Sequence, residues 1–487
     1  MIPSSIENSE IYPIANPGSI AFFGASNNLA AMGTTVLGCI CAMGYAGKIY
    51  PVHPKDREIK GFQAFQRVSD LPEIPDLAYI VLPTPVVVET LEACGQLGIR
   101  HAVIVSAGFN EVGGQGKQLQ SELTAVAEKY GIRFLGPNCI GVINTHLNLN
   151  ATFLPYEAGR GYIGMASQSG SFITQMSPHM SRLGMGFSTG FSIGNEANVD
   201  IVDCMAYLGA CPNTRVIALY IESIRRGRAF IDTARAIVPK KPIVAFYVGG
   251  SDEGRRAGFS HTGALAGPDP LYNGVFRQSG VIRASSIEEL FDFCYVLGAS
   301  PPIQGNRVIV QTHSGGPGAA AADACGRNGL HLPALTAATL ERLKPHVPHT
   351  ASVANPVDLT FTKTPLDFFQ TIPQILTADE NADALLIYFL ATSRMIQVVL
   401  EALGVSDDMS GDKAEEIIIQ QADAIAALGE QIKKPIVGFS FLARKESSLI
   451  RALQDRGIPV LPSPERGARA LAALVKYKNL REKLTQG

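Results

Sequence analysis

Tryptophan is absent from the 487 residues, and charge is scarce: Asp, Glu, Lys and Arg make up 17% and the formal net charge is -2. A balance so close to zero gives no electrostatic reason to gather on nucleic acid or on an anionic membrane surface. No apolar run approaches the roughly 20 residues that a membrane span needs. The first 17 residues are polar and mixed in charge, unlike a signal peptide. Eight cysteines are scattered, and the one tight spacing, Cys39-x-Cys41, lies in an apolar run; neither a zinc site nor a disulfide framework has that form. These absences leave a cytoplasmic enzyme with reduced thiols and no metal site of its own as the expectation.

What is present is apolar material, 46% of the chain. A chain of this length is too long for one core, and three domains follow from size alone.

The first expected domain, residues 1–150, is Rossmann-like. Ser19–Phe23 reads as a buried strand, followed by Gly24, Ala25, Ser26, Asn27 and Asn28 and then a helical stretch, Met32–Met43. Strand, small-residue turn and helix open a nucleotide-binding βαβ unit, in which helix-start amides can meet phosphate. The second strand, Lys48–Val52, runs into His53, Pro54 and Lys55, with no acidic residue to hold a ribose hydroxyl. That argues against a dehydrogenase. Lys55 suits a phosphorylated ribose, or is a solvated loop charge. Three further strand ends carry small residues and prolines: Pro83, Thr84 and Pro85 after residues 77–81, Ser106, Ala107 and Gly108 after 101–105, and Gly136-Pro137-Asn138-Cys139-Ile140-Gly141 after 132–135. Ligands bind outside the carboxyl ends of strands in such sheets, so these ends together favour a ligand rim.

The remainder repeats itself, as residues 151–300 and 301–487, the latter ending in a helical tail. Lys240-Lys241-Pro242-Ile243-Val244 parallels Lys433-Lys434-Pro435-Ile436-Val437, and the segments before each turn, around Ser167 and Thr312, correspond as well. Each copy alternates apolar strands with helices, the pattern of a flavodoxin-like parallel sheet. The copies differ where chemistry is expected. Only the first carries Ser260-His261-Thr262-Gly263-Ala264-Leu265-Ala266-Gly267, and only the first ends a strand with Glu222, where the second has Leu390. The fold closes without either feature, so His261 and Glu222 read as an added pair. Taken by itself, the stretch around His261 is either an open catalytic imidazole or a plain glycine-rich loop. His313 in the second copy reads as structural. Ser167, Gln168, Ser169, Gly170 and Ser171 precede an expected helix over 172–183, and form an anion site or a simple cap.

The chain resembles the α subunit of ADP-forming acyl-CoA synthetases, the acetyl-CoA synthetase (ADP-forming) family related to succinyl-CoA synthetase. The resemblance is carried by the His261 stretch, the 136–141 segment, Ser167-Gln168-Ser169-Gly170 and Asn355-Pro356-Val357-Asp358-Leu359. It implies that His261 is phosphorylated, that Glu222 supports its imidazole, and that Ser167, Gln168, Ser169, Gly170, Ser171 and Gly263 hold phosphate. It implies a CoA site at Gly24, Ala25, Ser26, Asn27, Lys55, Pro83, Thr84, Pro85, Ser106, Ala107 and Gly108. Two departures count. Thr174 stands where succinyl-type enzymes have a tyrosine, which speaks against succinate. No stretch resembles the ATP-grasp module of the family, so a separate ATP-grasp β subunit is expected, in an assembly such as α2β2, bringing ATP/ADP and Mg2+.

The expected reaction is acid + CoA + ATP ⇌ acyl-CoA + ADP + phosphate, with a small carboxylic acid passing through an acyl phosphate. A neutral imidazole is nucleophilic near neutral pH and leaves readily once protonated, which suits a phosphoryl carrier. A carboxylate on the other ring N–H would fix the tautomer. The competing readings are a non-catalytic CoA- or acyl-CoA-binding subunit and a CoA transferase using Glu222.

Overall fold

The computed structural model describes residues 2–254, 267–360 and 365–486; His261 and Gly263 lie outside the described residues. Nineteen strands are present among the described residues: β1 (Ser19–Phe23), β2 (Lys48–Val52), β3 (Glu58–Ile59), β4 (Phe62–Gln63), β5 (Leu77–Ile80), β6 (His101–Ile104), β7 (Arg133–Leu135), β8 (Val142–Asn144), β9 (Leu149–Ala151), β10 (Ile163–Ser167), β11 (Phe187–Ser192), β12 (Val216–Ile221), β13 (Ile243–Tyr247), β14 (Ile282–Ala284), β15 (Val308–Thr312), β16 (Val357–Asp358), β17 (Ala384–Tyr388), β18 (Ile436–Phe439) and β19 (Val460–Leu461). Contacts divide the chain into two compact units, the first of Met1–Ser181 with Met185–Ser286, the second of Arg182–Gly184 with Ile287–Gly487.

The first unit contains two large sheets. One is wholly parallel, in the order β2-β1-β5-β6-β7. Its central strands are buried along their whole length, as Ser-Ile-Ala-Phe-Phe and Leu-Ala-Tyr-Ile, because helices cover both faces of a doubly wound sheet. The chain reverses direction across the sheet between β1 and β5, the switch point at which such folds bind ligands. Phe23, Ile80, Ile104 and Phe134 belong to its buried core.

The other sheet runs β14-β13-β12-β10-β11-β8-β9, parallel through β11 and antiparallel at β8 and β9. Its antiparallel edge begins at Val142. Asn144 anchors this edge: its Nδ2 donates to the Ala15 carbonyl at 2.9 Å and to Asn16 Oδ1 at 3.0 Å.

The second unit holds a parallel sheet in the order β16-β15-β17-β18-β19. It also includes the helix Ile287–Ala299, which packs on the C-terminal helix Pro464–Gln486. Arg466 fixes that pairing with a two-pronged bond to the buried Asp292, at 2.7 and 2.6 Å. No helix among the described residues is long and apolar enough to cross a membrane.

The parallel core β14-β13-β12-β10-β11 has the same strand order as β19-β18-β17-β15-β16, and the details repeat. Tyr220 pairs in register with Phe246, and Tyr388 with Phe439. Lys241 Nζ donates to the Cys211 carbonyl at 2.5 Å at the end of the helix Ile201–Ala210, and Lys434 Nζ donates to the Thr377 carbonyl at 2.7 Å at the end of Thr371–Thr377. A cation on the unpaired carbonyls of a helix end is favourable in both copies.

Candidate functional site

The turn after β1 is set by a close approach. Gly24 has φ +97°, and a Cβ there would stand 1.9 Å from the Val81 carbonyl oxygen, so only glycine fits. Thr34, in the following helix, clamps this turn: its Oγ1 accepts from the Ser26 amide at 3.0 Å and donates to the Ser26 carbonyl at 2.8 Å. Asn27 is spent on residues 58–60, with Nδ2 donating to the Glu58 carbonyl at 2.9 Å. Lys55 is exposed on the loop after β2.

Beyond β5 and β6 the two loops brace each other. Ser106 Oγ donates to the Leu82 carbonyl at 2.5 Å and accepts from its amide at 3.1 Å. Thr84 Oγ1 donates to the Ala107 carbonyl at 2.5 Å. The Gly108 and Phe109 amides both donate to Glu111 Oε1, at 2.5 and 3.1 Å.

In the other sheet of the same unit, Ser167 ends β10 and its Oγ donates to the Ser169 carbonyl at 2.6 Å, closing a tight turn. The amides of Ser169, Gly170 and Ser171 have no partner among the described residues. Ser169 and Ser171 bring their hydroxyls to 3.0 Å of each other. The expected helix over 172–183 is interrupted, as Ser171–Thr174 and Ser177–Arg182. Pro178 explains the break: its ring clashes with the carbonyl four residues earlier, that of Thr174, and it has no N–H to give. The anion-binding capacity of this turn thus rests on open amides and hydroxyls, without a long helix behind them. Gly170 sits against Ile140; a Cβ would stand 2.3 Å from the Ile140 Cγ1.

These pieces meet in one cavity of about 440 Å3 within the first unit. Its lining includes Pro83, Ser106 and Ala107 from the loops after β5 and β6, Gln168, Ser169, Gly170 and Ser171 from the turn after β10, and the apolar Ile140 and Phe153. Of the CoA residues inferred from the sequence, Gly24, Ala25, Ser26, Asn27, Lys55, Thr84, Pro85 and Gly108 do not line this cavity. Sequence reasoning left Phe153 out of the site, whereas Asn195 falls in the 192–198 loop expected as pocket wall. The 136–141 segment of the expected ligand rim contains Asn138, whereas Phe153 lies in a segment with no motif of its own.

Glu222 directly follows β12 and is buried. Its backbone is fixed by Gln168, whose Oε1 accepts from the Glu222 amide at 2.5 Å and the Ser223 amide at 2.9 Å, while Nε2 donates to the Ser223 carbonyl at 2.8 Å. The Gln168 amide itself donates to the Tyr220 carbonyl at 3.2 Å. The Gln168 side chain is therefore engaged by the protein itself. Burial pushes the Tyr220 phenol up to about 12, and the nearby Glu222 charge adds to it. On the other side, Arg225 donates to the carbonyls of Asn195 and Glu196 at 2.8 and 2.9 Å. Glu196 is buried with φ +51°, its Oε1 accepting from the Ile201 amide at 2.9 Å. Burial raises its carboxyl to about 7 against the opposing pull of Arg225.

His313, after β15 in the second unit, is stacked on Phe368 with ring centroids 3.5 Å apart. Desolvation lowers it to about 4, so the ring is neutral. That fits its reading as a structural residue.

One cavity is thus lined both by loops of the doubly wound sheet and by the serine turn of the flavodoxin-like sheet. Residues 18–145 match the CoA binding domain family, 160–297 the succinyl-CoA ligase like flavodoxin domain and 308–434 the ligase-CoA domain. The chain is 36% identical over 463 residues to the α subunit of ADP-forming acetate–CoA ligase II of Pyrococcus furiosus, covering 95% of this chain and 96% of that one. It is 38% identical over 467 residues to ADP-forming acetate–CoA ligase I of Archaeoglobus fulgidus, covering 96% of this chain and 64% of that protein. Among solved structures, the dinucleotide-forming acetyl-coenzyme A synthetase 1 of Ca. Korarchaeum cryptofilum, in complex with phosphate and ADP, superposes with a TM-score of 0.86 at 32% identity, covering 98% of each chain. The chain belongs to the family of ADP-forming acetate–CoA ligase α subunits. The resemblance and the α/β architecture expected from the sequence are thereby borne out.

Proposed function

We propose that this chain is the α subunit of an acid–CoA ligase, converting acid, CoA and ATP to acyl-CoA, ADP and phosphate by way of an acyl phosphate and a phosphohistidine at His261. The observation that carries this reading is that Pro83, Ser106 and Ala107 line the same cavity as the turn Ser169, Gly170 and Ser171. Thiol and phosphate chemistry need to share one space if CoA is to displace phosphate from an acyl phosphate.

In this scheme the open amides and hydroxyls of the turn receive phosphate where negative charge develops, and phosphoryl transfer is largely such positioning and electrostatics. His261 takes the phosphoryl group, and Glu222 accepts from the other ring N–H and stabilises the imidazolium. Ser167 and Gly170 shape the turn, and Gly263 contributes to phosphate binding. The CoA nucleotide lies along Gly24, Ala25, Ser26, Asn27 and Lys55, with Thr84, Pro85 and Gly108 on its path to the cavity. The pantetheine arm ends between Ser106 and Ala107, and the acyl group lies against Ile140 and Phe153. Three domains divide this work: a CoA domain, a phosphohistidine domain and a second flavodoxin-like ligase domain.

The relatives named as α subunits support a separate partner, which we assign as an ATP-grasp β subunit supplying the nucleotide and Mg2+ in a hetero-oligomer. The partner carries nucleotide chemistry to His261, and the assembly works in the cytoplasm. In a test, chain and partner are incubated with acyl-CoA and inorganic phosphate without nucleotide. Phosphate-dependent release of free CoA thiol is expected; release that ignores phosphate would make the chain a transferase or hydrolase instead.

A further inference from the structure

The two flavodoxin-like copies serve as an internal control on one side chain. Strand pairing fixes the equivalence: Ile163 pairs with Val216 in one copy and Val308 with Ala384 in the other, so Tyr220 answers to Tyr388 and Glu222 to Leu390. The turn is also shared. Ser167 Oγ donates to the Ser169 carbonyl at 2.6 Å, and Thr312 Oγ1 to the Ser314 carbonyl at 2.8 Å.

One residue further on the copies part. His313 lays its ring on Phe368, whereas Gln168 reaches to the end of β12 and binds Glu222 and Ser223 with three hydrogen bonds of 2.5 to 2.9 Å. The carboxamide is buried, and it also lies against the buried carboxyl of Glu196. Only a carboxamide offers an acceptor for two N–H groups and a donor for a carbonyl at this length without adding charge. The copy that has the carboxylate has the glutamine; the copy with Leu390 does without it.

We propose that Gln168 is a positioning residue of the phosphoryl transfer, fixing the backbone of Glu222 so that its carboxyl meets the histidine in one orientation. This rests on the functional reading above. Gln168 touches no reacting atom in this account and acts through Glu222 alone.

The test uses the complete enzyme with its partner. Single-turnover labelling of the chain from acyl-CoA and radioactive phosphate is timed in wild type, Gln168→Met, Glu222→Gln and the double variant. Gln168→Met should slow labelling about 10- to 100-fold, as expected for losing orientation, while the KM for acyl-CoA stays within about threefold. Groups acting as a unit lose their effects together, so in the Glu222→Gln background the same change should cost less than about threefold. Fully multiplicative losses, or a raised KM at an unchanged labelling rate, would overturn the proposal. If Gln168→Met does not fold, Gln168→Leu serves. It removes the acceptor and the donor together, and labelling at the wild-type rate would overturn the proposal equally. An unlabelled wild type would bring down the functional reading and this one together; a labelled wild type with an equally fast Gln168→Met would bring down this one alone.

Discussion

Asn195 Nδ2 donates to Glu111 Oε2 across 2.5 Å, joining the loop after β11 to the loop after β6. The same amide nitrogen reaches Gln120 Oε1 at 3.1 Å, and Asn195 Oδ1 accepts from Asn138 Nδ2 at 3.2 Å. Glu111 in turn holds the Gly108 and Phe109 amides. One buried carboxamide thus ties the serine-turn sheet to the loop after β6.

Asn195→Ala leaves Glu111, Gln120 and Asn138 short of a partner, and a buried polar group without one costs about 1–3 kcal/mol. Chemical denaturation should show a loss of that size, and isothermal titration should show weaker CoA binding. A variant with wild-type stability and wild-type CoA affinity would show that the link carries no strain between the loops.

Gly170→Ala places a methyl group where Ile140 already stands. It should displace the turn and reduce phosphate-dependent CoA release by at least about tenfold, in line with the sensitivity of reacting geometry to small displacements. Ile140→Ala removes the obstructing atoms, so the double variant should recover most of the loss. Equal impairment of the single and double variants would place the fault in the glycine backbone.

The Glu196 carboxyl titrates near 7 rather than at its ordinary 4.5 because it is buried. A carboxyl raised by folding contributes stability that is full below the ordinary value and is lost as pH climbs through the raised one. Glu196→Gln does not titrate there. Its melting temperature relative to wild type should therefore rise between about pH 5 and 8, by the equivalent of up to about 3 kcal/mol. A difference that stays flat with pH would mean that the carboxyl is not held neutral by the fold.

Local patterns carried most of the fold. Apolar runs bounded by small residues located the central strands, because a sheet covered on both faces leaves no alternation to misread. The repeat was legible through Lys241 and Lys434, which cap equivalent helix ends. Contacts between distant segments were not legible. Nothing near Phe153 announces a cavity wall, and Asn195 gains its meaning from Glu111, 84 residues away. The β8–β9 pair was missed because a three-residue strand has too short a period to read. Pro178 is a visible stop signal inside the expected helix. Gln168 reads as part of an anion turn in sequence, and its engagement with Glu222 depends on β10 and β12 being neighbours.

The most direct measurement concerns His261. Wild-type chain and partner, given radioactive ATP, or the chain given acyl phosphate, should acquire an acid-labile, base-stable label, and His261→Ala should acquire none. Acid-labile labelling of His261→Ala at the wild-type level would contradict the account.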